Sequence, residues 1–141
     1  MNPAYRTARF HCVIRESAIP ATGFAIVTAC NPGDRVRSDD ANRRADDGLA
    51  ADVDRSGWRR FRVIGASPDL RHQEPGWGVV SGSLAEAVDL GRRWEQMAIF
   101  WVEGDTLRLV DCTDAATEDL GSWSARSRFD VEPVPWTLPV G

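Results

Sequence analysis

The chain has 141 residues, enough for one domain with a core of its own. Hydrophobic residues make up 43% and charged residues 27%, the balance of a globular domain, and the formal net charge is −4. All 17 basic residues are Arg, with no basic run and three adjacent pairs (Arg43-Arg44, Arg59-Arg60, Arg92-Arg93). Such pairs read as ion-paired surface, so nucleic acid is not an expected partner. No apolar run approaches the ~18 residues of a membrane helix, so no membrane association is expected. Met1 to Pro20 carries scattered charges and no apolar core, unlike a signal peptide, which points to a cytoplasmic location. The three cysteines, Cys12, Cys30 and Cys112, are too few and too far apart for a disulfide framework. No zinc spacing occurs, so neither a metal nor a cofactor is expected.

In chain order, Arg9 to Arg15 alternates as a strand, with Phe10, Cys12 and Ile14 on one face. Phe24 to Cys30 is an apolar central strand, and Asn31-Pro32-Gly33-Asp34 ends it in a turn. A polar loop over 33–40 leads to a helix over Asp39 to Arg55, opened by Ser38, Asp39 or Asp40 and striped by Ala41, Ala45, Leu49 and Val53. Gly48 inside it lowers helix propensity by about 1 kcal/mol relative to Ala. Trp58 to Ala66 alternates as a strand with a wet Arg60/Arg62 face, and Gly65 to Gly76 reads as loop. Trp77 to Ser81 is a short strand. Ser83 and Glu86 form a capping box that opens a second helix. Met97 to Val102 and Thr106 to Cys112 make a hairpin about Glu103-Gly104-Asp105.

This order predicts an α+β fold: a mainly antiparallel sheet of about five to six strands with two helices on one face, split βαβ or ferredoxin-like. Residues 1–112 would form the domain. Residues 113–141 would form an extended tail packed on it through Trp123, Phe129 and Trp136.

Polar groups at strand and helix ends mark the candidate site. Asn31 follows the buried strand and suits either an Asx-turn or ligand contact. Thr28 has no evident base beside it, which favours packing over nucleophilic work. Asn42 flanks the helix stripe and suits either loop anchoring or ligand contact. Glu74 sits in a Pro-Gly stretch near Trp77, exposed or, if desolvated, a general base, with His72 two residues away. Gln96 stands where helix passes to strand and suits a cap on the free helix carbonyls. Cys30 reads as packing rather than nucleophile.

The ordered set Thr28-Ala29-Cys30-Asn31-Pro32, Asn42, Gly65, Glu74-Pro75, the Ala87–Leu90 helix and Gln96 with Ala98 resembles a small bacterial family, domain of unknown function family 3293. The likeness runs from Tyr5 to Cys112, with Val27 where Ile is common and Cys30 in a slot often aromatic or polar. It implies a bacterial cytoplasmic domain and brings no activity with it.

Amides both donate and accept, which suits recognition of a neutral or amide-bearing small molecule. The leading expectation is therefore a small-ligand-binding module with Thr28, Asn31, Asn42, Glu74 and Gln96 around its pocket. The alternative is a protein partner or homodimer met through a Trp-rich surface and the tail. A hydrolase with Glu74 as general base ranks last.

Overall fold

The computed structural model describes residues 3–20 and 22–130. Among these, eight strands form one sheet: β1 (Arg9–Val13), β2 (Phe24–Val27), β3 (Arg59–Ala66), β4 (Gln73–Val80), β5 (Ala98–Glu103), β6 (Thr106–Asp111), β7 (Thr117–Ser122) and β8 (Ser127–Asp130). Two helices, α1 (Asp39–Arg55) and α2 (Leu84–Arg93), join them. The strand order is β7-β6-β5-β2-β4-β3-β1-β8, with β8 parallel to β1 and every other pair antiparallel.

This corrects the expected five-to-six-stranded, ferredoxin-like sheet. The described part of 113–141 supplies β7 and β8, one at each edge. The remainder of that tail, Trp136 included, lies outside the described residues. β4 also starts earlier than expected, because Pro75 and Gly76 read as a turn. Pro75 lies past Trp77, whose pairing with Val27 is the last in the β2 ladder, so on that side its missing N–H breaks no rung.

The sheet curls into a half-barrel, with side chains alternating between two cores. On the concave side Phe10, Phe24, Ile26, Phe61, Phe100, Val102 and Trp123 pack together. Phe10 on β1 touches Phe100 on β5 at 4.8 Å between ring centroids although three strands separate them, which only a curled sheet permits. On the convex side Ala25, Val27, Val79, Ile99 and Val110 meet Leu49 and Val53 of α1 and Ala87, Val88 and Leu90 of α2. Ser38 caps α1 by accepting from the Ala41 N–H, and Ser83 caps α2 by accepting from the Glu86 N–H.

The helices are tied by groups the apolar stripes did not announce. Buried Asp52 on α1 accepts from Arg93 and from the indole N–H of Trp94 (3.0 Å) at the end of α2. A Cβ on Gly48 would lie 2.6 Å from the Trp94 ring, so this helical glycine is the seat on which Trp94 packs. The five tryptophans of the described residues are buried or half-buried, so they serve the cores rather than a Trp-rich surface.

Gly78 illustrates how tightly the concave core is drawn. A Cβ there would fall 2.2 Å from the buried Phe61 ring. Gly78→Ala should cost about 1–3 kcal/mol by overpacking, read as a lower urea midpoint. Pairing it with Phe61→Leu should recover part of the loss, because the two sites share one space.

Candidate functional site

β2 ends at Val27, and the next four residues leave the sheet beneath the start of α1. Asn31 takes a left-handed conformation (φ 46°), which Asn tolerates better than most residues. Asn42, in the first turns of α1, then grips it twice. Its Oδ1 accepts from the Asn31 backbone N–H, and its Nδ2 donates to Asn31 Oδ1, both at 2.9 Å. Asn31 Oδ1 also accepts from the Arg37 N–H at 3.0 Å, closing the 31–37 loop. The amides thus act as loop anchors, one of the two uses their positions suggested.

Behind this loop lies a second polar cluster. The Thr28 hydroxyl stands 2.7 Å from Glu74 Oε1 and 3.1 Å from Gln96 Oε1. Gln96 Nε2 donates to the Cys30 carbonyl (3.2 Å) and to the Trp94 carbonyl at the end of α2 (3.1 Å), so Gln96 caps the helix and holds the end of the central strand as well. The approach of β4 makes this possible. A Cβ on Gly76 would come within 2.7 Å of the Thr28 methyl and 2.8 Å of the Val27 carbonyl.

Asn31, Asn42 and Glu74 line one cavity of about 670 Å³, with Arg37, Arg62 and Pro75 among its other walls. Thr28 and Gln96 are not on its wall; they support Glu74 and Cys30 from behind. Sequence reasoning missed the cavity's ion pair. Arg62, on the face of β3 read as wet, makes a two-pronged bond to buried Asp46 of α1 at 2.8 Å and lies 3.7 Å from the Trp77 ring centroid. Asp46 falls one turn after Asn42, on the side of α1 facing the sheet, and that spacing was the available signal.

Burial pushes the Glu74 carboxyl upward; the bond from the Thr28 hydroxyl opposes the rise and nearby Asp34 adds to it. Burial also pushes the Cys30 thiol up to about 12, which leaves it protonated and unsuited to nucleophilic work. His72 is exposed in the β3–β4 turn, where its backbone bonds Ser67. His11 lies elsewhere and pairs with Asp130. No cluster of three metal-ligating side chains occurs among the described residues. No helix among them is long and apolar enough to cross a membrane.

The family model described as "Protein of unknown function (DUF3293)" matches residues 27–99, more than half of the chain, and the chain belongs to that family. The matched span takes in Thr28, Asn31, Asn42, Glu74 and Gln96. No curated protein and no solved structure matches the chain.

The reciprocal amide pair sets a clear expectation. Asn42→Ala leaves the Asn31 N–H without its acceptor and should cost about 1–2 kcal/mol. Amide hydrogen exchange should quicken at Asn31 and Arg37 while the core strands keep their protection.

Proposed function

With family membership as the premise, we propose that this domain binds a small molecule in the cavity beyond the end of β2. The observation that carries the reading is the meeting of Asn31, Asn42 and Glu74, drawn from three separate stretches of chain, on one concave wall. A volume of about 670 Å³ falls within the range of pockets for small ligands.

The groups left over after the fold is satisfied indicate what such a ligand would offer. Asn31 Nδ2 and the Arg37 guanidinium are donors without a hydrogen bond to the described protein. Glu74 Oε2 is equally uncommitted. Val36, 89% exposed, adds an apolar edge. Donors, an acid and an apolar edge within one cavity suit a compact molecule with its own donor and acceptor groups, such as an amide or a nucleobase. Arg62 takes no part, because Asp46 already engages it.

A thermal-shift panel of amides, nucleobases, nucleosides and small carboxylates tests the reading. A ligand at a hundred times its Kd should add about 2.7 kcal/mol and raise the melting temperature by several degrees. Arg37→Ala is the informative variant, because its side chain holds nothing in the fold: melting without ligand should stay unchanged while the ligand shift shrinks. A panel that leaves the wild type unmoved defeats the proposal.

A further inference from the structure

Thr28, Glu74 and Gln96 bring three oxygens together, and their protons can be counted. Gln96 Nε2 gives its two hydrogens to the Cys30 and Trp94 carbonyls. Turning the amide over would set its oxygen against both, so Gln96 Oε1 must face Thr28 and can only accept. Thr28 has a single hydroxyl proton and stands within hydrogen-bond distance of Gln96 Oε1 and of Glu74 Oε1. If Glu74 were ionised, one proton would have to serve two acceptors, and one close oxygen pair would go without. If Glu74 carries a proton, both contacts are satisfied: Glu74 donates to Thr28, and Thr28 donates to Gln96.

We infer that Glu74 stands in the folded protein as a neutral carboxylic acid, and that the cavity takes an uncharged hydrogen-bonding group at this contact rather than an ammonium or guanidinium. The ligand half of this statement rests on the binding reading above; the protonation half does not.

The surroundings agree. Asp34, on the loop after β2, raises the Glu74 carboxyl further. The Tyr5 hydroxyl, from the 3–7 turn, donates to Asp34, and burial keeps that phenol protonated. Cys30 is a neutral thiol. From β3, Arg62 is held by Asp46 of α1. Arg37, Asp39 and Arg43 are exposed residues of the cavity rim and make no bond to Glu74. No cation is therefore committed to this carboxyl.

In the unfolded chain Glu74 would ionise near the ordinary ~4.3. The folded state keeps the proton to higher pH and so binds more protons in between. This contribution to stability is full below the ordinary value and is lost as pH rises through the folded one. Asp54, Asp69, Asp105 and Asp130 are all pulled down, so their effects fall at lower pH and run the opposite way.

NMR titration of the Glu74 carboxyl carbon in the ligand-free protein tests the protonation. The inflection is expected displaced upward from the ordinary ~4.3. Melting of Glu74→Gln provides the second measurement, since its amide donates to Thr28 as the acid does. It should melt at or above the wild type at neutral pH and lose the decline between acid and neutral. An inflection at or below the ordinary value, or a Glu74→Gln protein melting several degrees lower at neutral pH, overturns the inference. For the ligand half, ammonium and guanidinium compounds should leave the wild type's melting unmoved. An ammonium compound whose shift disappears in that variant overturns the ligand half. Because the titration needs no ligand, failure of the binding proposal and failure of this one are separable.

Discussion

Ser122 ends one edge strand of the sheet and Ser127 begins the other, and only four residues connect them. Five peptide steps reach about 18 Å at full extension. Eight flat strands would set the two edges about 34 Å apart. The sheet must therefore curl, and the rest of the architecture follows from this restraint. Trp123, the first residue of the link, fills the concave side against Phe10 and Phe24. Asp105, in the β5–β6 turn, accepts from Ser122 and from the Ser124 N–H, while its carbonyl accepts from the Trp123 N–H. Arg126 then bonds carbonyls on both sides of the seam, at Arg6, Ala8 and Leu120. Arg6 and Glu118 pair across it at 2.8 Å.

A sheet that curls inward around aromatics leaves its convex face for the helices. Both helices cover that face, and the end of β2 emerges beneath α1. The cavity arises there because the chain must turn out from under a helix, and the turn carries polar groups that need partners. Asn42 satisfies the turn from the helix, Gln96 from the end of α2, and Thr28 reaches across to β4. Each partner comes from a different element. The site geometry is thus a product of how α1, α2 and β4 meet β2, and disturbing the Gly76 or Gly48 contacts would reach it indirectly.

Local chemistry made much of this legible in the sequence. The Ser38-Asp39-Asp40 run and the Ser83–Glu86 box marked both helix starts, because capping is decided within four residues. Phe24 to Val27 announced itself as buried on both faces. What stayed hidden depended on distant partners. Thr117–Ser122 has one half-buried residue, Leu120, and no alternation, so its strand character comes from pairing with β6 rather than from pattern. Asn31, Asn42, Glu74 and Gln96 were visible as polar residues at element ends. That Thr28 and Gln96 lie behind the wall and Asp46 and Arg62 on it was not, because sequence spacing does not say which side of a residue meets the cavity.

Anchoring the fold would not compete with the proposed ligand contact. Asn31 Oδ1 has both lone pairs engaged, by Arg37 and Asn42, while its Nδ2 is left over. Glu74 Oε1 is fixed by Thr28 while Oε2 is left over. In each side chain one polar atom is immobilised by the fold, and that immobilisation orients the other. A pocket of freely turning amides and acids would lose side-chain entropy on meeting a ligand, of order 0.5–1.5 kcal/mol for each immobilised side chain. Here folding has already removed that freedom. The anchoring that first suggests a purely structural use is therefore what would make these residues efficient at recognition.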